Sequence, residues 1–131
     1  MNANVFENAV VINGLIVINL CKHSVAGLVN GEVMTFPAVV NGKDANVSVK
    51  TVNKGTLGGF ALVGTEFGEV KNLPEPIENT VFIVNGMVFE RCSERKDIIA
   101  PDSGPSAIRE NGQVKHVIQW KTHSLVLKLE A

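Results

Sequence analysis

Apolar residues in this chain recur with period two or in short unbroken runs, and only near 88–92 with helical spacing. The stretch "ANVSVKTV" (45–52) sets Val47, Val49 and Thr51 against Ser48 and Lys50, the pattern of a strand with one face buried. "SLVLKLEA" (124–131) does the same with Leu125, Leu127 and Leu129. The dipeptide Asn-Gly occurs at 13–14, 30–31, 41–42, 85–86 and 111–112. Both residues tolerate the positive φ that a type I′ turn needs at its two central positions, and that turn has the twist of paired strands. Hairpins are therefore predicted for 9–12 with 15–20, 25–29 with 32–36, and 107–110 with 113–120.

Three stretches need separate treatment. Gly55, Gly58, Gly59, Gly64 and Gly68 crowd "KGTLGGFALVGTEFGEV". Converging backbone N–H groups at glycines bind anions, but the GxGxxG spacing is missing and no helical pattern follows, so turns and bulges between short strands are expected. Pro74 and Pro76 then hold Leu73 and Glu75 extended. In "NTVFIVNGMVFERCSERKD" two readings compete. Asn85-Gly86 turns a hairpin between 81–84 and 87–89, or Asn85 caps a short helix with Val88, Cys92 and Phe89 inward. Local propensity favours the hairpin slightly.

The chain's 131 residues suit one domain, 1–131, and 45% hydrophobic with 19% charged residues marks a folded one. A formal charge of −1 argues against sequence-independent nucleic-acid binding, which needs a cationic surplus. The apolar run 9–20 is split by Asn13-Gly14 and lacks a basic lead, so neither a signal peptide nor a membrane span is expected. Cys21 and Cys92 are far apart in no known spacing, which points to two free thiols in a reducing cytosol. Terminal strands with exposed edges, in a chain this apolar, point to a homo-oligomer.

Three blocks carry a family likeness: "VINLCKHSVAGLVNGEVMTFPA", "FGEVKNLPEPIENTVFIVNGMV" and "RKDIIAPDSGPSAIRENGQVKHVIQW". Together, over roughly 16–120, they resemble a family of small uncharacterised phage and prophage-derived bacterial proteins. Its pattern is Asn-Leu-x-x-His, then Leu-Pro-x-Pro, then Arg-x-Asp-x-x-x-Pro-Asp. Here Cys21-Lys22 stand where that family has Thr-Pro, and 1–15 and 121–131 extend beyond the shared region. The resemblance implies an accessory protein in the cytoplasm of a bacterial host. It also implies a helix over 86–93, because the family carries small helix-forming residues there. The expected fold is thus α+β, a mainly antiparallel sheet with barrel-like closure and one short helix.

Candidate chemistry concentrates in one place. All three arginines, Arg91, Arg95 and Arg109, lie in or just before the Pro-, Asp-, Ser- and Gly-rich stretch 95–112. A guanidinium presents a planar fork of donors matched to phosphate or carboxylate. Arg95, Lys96 and Arg109 with Asp97, Asp102, Ser103 and Ser106 make the toolkit of a phosphate-bearing ligand such as a nucleotide, and Trp120 would offer a stacking surface. The competing reading pairs these arginines with Asp97, Asp102 or Glu94 as staples of the loop. His23, His116 and His123 with the cysteines show no metal-ligand spacing, and no histidine is placed beside Cys92 or Ser103, so no metal, cofactor or catalytic residue is assigned. Three functions follow in order. The first is sequestration of a nucleotide-derived host defence signal, the second a protein–protein inhibitor or assembly protein, and the third a nucleotide-cleaving enzyme.

Overall fold

The computed structural model describes residues 6–40 and 42–123. The predicted strand at 124–131, Asn41 of the third Asn-Gly pair, and the first five residues lie outside them.

Three Asn-Gly turns form as their chemistry dictates. Asn13, Asn30 and Asn111 take φ of 51°, 51° and 54°, each followed by a glycine at positive φ. They join β1 (Val10–Ile12) to β2 (Leu15–Asn19), β3 (Val25–Val29) to β4 (Glu32–Phe36), and β9 (Ile108–Glu110) to β10 (Gln113–His116), all antiparallel. The fourth described Asn-Gly does something different. Asn85 is the N-cap of α1 (Gly86–Arg91), accepting from the Val88 N–H at 2.9 Å and donating to the Ala45 carbonyl at 3.3 Å. Its φ of −72° is extended backbone rather than the left-handed turn a hairpin requires, so the helix reading holds.

The central sheet runs β1-β2-β7-β8-β11, with β7 (Thr80–Ile83), β8 (Ile98–Pro101) and β11 (Trp120–Thr122). Its interior pairs, β2·β7 and β7·β8, are parallel, and α1 makes the crossover between β7 and β8. The other strand pairs are antiparallel, so the expected mainly antiparallel character holds, with a parallel centre that the sequence reading did not include. The physical reason lies in the runs themselves: β7 is buried at every position, the mark of a strand covered on both faces. Alternate residues feed two cores. Ile18, Phe82, Ile98 and Ala100 face α1, where Val88, Phe89 and Cys92 cover them. Val17, Val81, Ile83 and Ile99 face the β3–β4 hairpin, with Phe36 and Trp120. The described strands fall into one five-stranded and three two-stranded sheets, and no closed barrel forms among them. The fold is α+β, mostly strand, with one short helix.

The glycine-rich centre departs most from expectation. Instead of short strands it forms one long ribbon, β5 (Asn46–Leu57) against β6 (Phe60–Lys71), each of 12 residues. Gly58 and Gly59 supply the two positive-φ positions of the end turn, at 53° and 88°. Bulges interrupt the register between Val47 and Val49 and between Asn53 and Gly55. At 3.4 Å per residue such an arm reaches roughly 35–40 Å.

Candidate functional site

The arginine-rich stretch resolves into two separate networks at opposite ends of β8. At its start, Arg95 grips Asp97 with both prongs, Nε to Oδ1 at 2.8 Å and Nη2 to Oδ2 at 2.7 Å, and Nη2 also donates to the Pro74 carbonyl at 2.9 Å. Asp97 is buried, 6% exposed, so its charge needs that fork. The hydrogen bond to Asp97 raises the Arg95 pKa above its ordinary value. Arg95 therefore ties the Leu-Pro-x-Pro segment to the start of β8, and Lys96 beside it is exposed.

Beyond the end of β8, Asp102 organises the following loop. Its Oδ1 accepts the Gly104 N–H at 3.1 Å, and its Oδ2 accepts Gln119 Nε2 at 2.8 Å and the Ser106 hydroxyl at 3.5 Å. The Gln119 and Gly104 hydrogen bonds hold its carboxyl below the usual value of 3.8. Arg109 reaches back to the Ser103 carbonyl while remaining exposed. Asp97 and Asp102 are five residue steps apart along extended chain, roughly 16 Å. The structure thus joins Asp102, Ser103, Ser106 and Arg109 in one loop and sets Arg95, Lys96 and Asp97 apart from them.

Trp120 stands in neither network. Its ring packs edge-on against Phe36, 5.8 Å between centroids, and its N–H donates to the Leu28 carbonyl at 3.4 Å. Gly27 admits it: a Cβ there would collide with the Trp120 ring at Cζ2. Asn19, the first residue of the Asn-Leu-x-x-His block, is fully buried. Its amide donates to the His23 and Phe36 carbonyls at 3.1 and 3.0 Å.

The thiols are not primed as nucleophiles. Burial, and to a lesser degree Asp44, push the Cys21 thiol up to about 11, and burial first raises that of Cys92 as well. Among the described residues, no three His, Cys, Asp or Glu side chains group to hold a metal ion, and no helix is long and apolar enough to cross a membrane.

What sequence reasoning missed lies on the β5–β6 arm and at its root. Val47 and Val70 pair across the ribbon and lie half or fully buried at the body. On the same face further out, Val49 and Phe67 pair at 51% and 43% exposure, and the Arg91 guanidinium covers Phe67 at 5.1 Å. At the far end Leu57 pairs with Phe60, at 69% and 72% exposure, and Leu62 lies one pleat back on their face. Burying a side chain of that kind is worth about 1.5–3 kcal/mol, so leaving such a row in water is a sign of an absent partner. Where the arm joins the body there is a mainly apolar cavity of about 760 Å³, walled by Phe6, Val39, Val40, Leu73 and Pro74, with Glu7, Asn8, Lys43 and Asn72 also lining it. Asn72 closes the root with hydrogen bonds to the Gly42 and Asp44 carbonyls at 3.3 and 3.1 Å. The fold and this site define a small α+β body carrying a long, apolar-tipped two-stranded arm.

Comparison with known protein families, with characterised proteins and with solved structures finds no match for this chain.

Proposed function

We propose that this protein works through protein–protein contact made by the β5–β6 arm. The observation that carries this reading is the exposed apolar set Val49, Leu57, Phe60, Leu62, Val63 and Phe67 on one projecting ribbon. An arm with polar flanks and an apolar tip is the shape of an interaction element, because it offers side chains to a partner at little cost to its own fold. Given the resemblance to phage and prophage proteins, the setting is the cytoplasm of a bacterial host and the role that of an accessory inhibitor or assembly protein. Leu57→Asp with Phe60→Asp tests it. The variant should keep the parent's melting temperature and lose a partner that the parent retains at fixed stoichiometry from host cells. Identical retention by both proteins would exclude the arm as the contact.

A second reading keeps the sequestration of a phosphate-bearing molecule, such as a nucleotide-derived defence signal. Arg109 favours it, an exposed guanidinium beside the Ser103 and Ser106 segment whose one acceptor among the described residues is a carbonyl. A ligand at 100 times its dissociation constant would stabilise the protein by about 2.7 kcal/mol. Thermal shifts with dinucleotides, cyclic oligonucleotides and ADP-ribose derivatives should then vanish in Arg109→Ala. An unchanged melting temperature across that set would remove this reading.

A further inference from the structure

We propose that the arm's partner is a second copy of this chain. Two arms lie antiparallel about a twofold axis, and Leu57, Phe60 and Leu62 at each tip fill the apolar cavity at the other's root. This rests on the arm being the working surface and adds what it meets.

Tip and socket are both mainly apolar, and each is uncovered among the described residues. The tip pair is exposed by 69% and 72%, and Val40 on the cavity wall by 57%. One molecule cannot satisfy both, because the length of the ribbon, roughly 35–40 Å, separates its tip from its own root. That same length makes the pairing reciprocal. When two identical arms lie head to tail about a twofold axis, each tip arrives at the opposite root together. The second contact is then intramolecular and gains the advantage of high effective concentration. The result is a closed, isologous dimer rather than an open chain.

Charge does not oppose the approach. The arm carries Lys50, Lys54 and Lys71 against Glu66 and Glu69, the socket lining has one charge of each sign in Glu7 and Lys43, and the whole chain is at −1. The exposed parts of Leu57, Phe60, Leu62 and the socket side chains amount to several hundred Å² per copy. Counted over both copies and both contacts, the interface is on the order of 1,000 Å², where specific association begins.

Light scattering on the full chain is expected to give twice the 14.1 kDa chain mass. Leu57→Asp with Phe60→Asp, and separately Val40→Asp, change exposed positions and should leave folded monomers, with dimer affinity down at least about 100-fold. Position is read by cross-linking. Oxidation should join Phe60→Cys/Val40→Cys chains into a covalent dimer and leave Phe60→Cys alone unlinked. The native thiols do not compete, with Cys92 buried and the Cys21 thiol held up at about 11. A parent that stays monomeric at its highest soluble concentration would overturn the proposal. So would a ladder of masses, or a linked dimer from Phe60→Cys alone. A monomer whose arm still retains a host protein would refute self-association and leave the arm's role intact. A dimer with a linked tip and socket that retains nothing else would support self-association and count against a host target.

Discussion

Phe82 and Phe60 are the same side chain in strands of the same molecule, one wholly buried and the other 72% exposed. Around Phe82 the central sheet has α1 on one face and the β3–β4 hairpin on the other, so each apolar position of β7 has cover. Around Phe60 no second layer covers the ribbon among the described residues, and the cover nearer the body is the buried Val47–Val70 root and the Arg91 guanidinium over Phe67. The contrast separates residues that make the fold from residues the fold presents. Propensity and alternation alone cannot make that separation, since both phenylalanines sit in well-formed β-structure.

Truncating each phenylalanine breaks the comparison most directly. Phe82→Ala should cost about 3–5 kcal/mol, since it leaves a cavity between packed elements. Phe60→Ala should change stability by less than about 0.5 kcal/mol in dilute protein. Denaturant midpoints at unchanged slope would show this. A loss at Phe60 that grows with protein concentration is the linkage expected of a dimer held by the tip. Equal losses at both sites in dilute protein would mean that the tip is part of the monomer's own core.

A polar version of the same contrast follows. The Arg95–Asp97 pair has side chains 17% and 9% exposed, whereas Lys115 and Glu110, 3.2 Å apart, are 61% and 64% exposed. Arg95→Ala strands a buried carboxylate and frees the Pro74 carbonyl, with an expected cost of about 3 kcal/mol. Lys115→Ala should cost less than about 0.5 kcal/mol, because water screens that pair and the side chains lose freedom to hold it. If both losses proved small in chemical denaturation, Arg95 would not be the staple that its geometry indicates.

Asn85→Ala is the next smaller step, at about 1 kcal/mol for a lost helix cap. The Ala45 carbonyl also loses its donor, which loosens the root of β5 where the arm begins. Hydrogen exchange should therefore accelerate in α1 and at residues 45–47 together. Acceleration confined to α1 would show that the cap does not brace the arm.

Much of the fold could be read from the chain, for definite reasons. The turns at Asn13, Asn30 and Asn111 are local chemistry, and local chemistry is visible in a sequence. The parallel core was less visible. The run Val81–Val84 is equally consistent with a hairpin strand until the cover on both faces is known, although its unbroken apolar character was the available signal. The arm was hidden because Gly55, Gly58, Gly59, Gly64 and Gly68 look like breaks. In fact only Gly58 and Gly59 turn the chain, while Gly64 and Gly68 sit within the strand, Gly64 under Lys54 and Gly68 against Ser48. For the candidate site, composition located the Arg95–Arg109 stretch but not the direction of its side chains. Spacing along a strand set two of the carboxylates, Asp97 and Asp102, at opposite ends of β8, a distance that composition does not carry.

The smallest effect tests whether the Asp102 loop is held by hydrogen bonds or by charge. The Gln119 amide is the main cause of its lowered pKa and the Gly104 N–H the next, with Lys121 contributing less. A carboxyl whose folded value lies below its unfolded one adds stability that is complete above the unfolded value, 3.8, and is lost as pH falls through the folded one. The parent's advantage over Gln119→Ala should therefore be constant near neutrality and shrink only below about pH 4. Carbon-detected titration by NMR should show the Asp102 carboxyl titrating below 3.8 in the parent and closer to it in Gln119→Ala. Added salt should move it little, because neutral amide donors are not screened as a lysine is. A strong salt dependence would give the leading part to Lys121 instead. The loop carrying Arg109 would then be organised by charge, and open to competition from an anion.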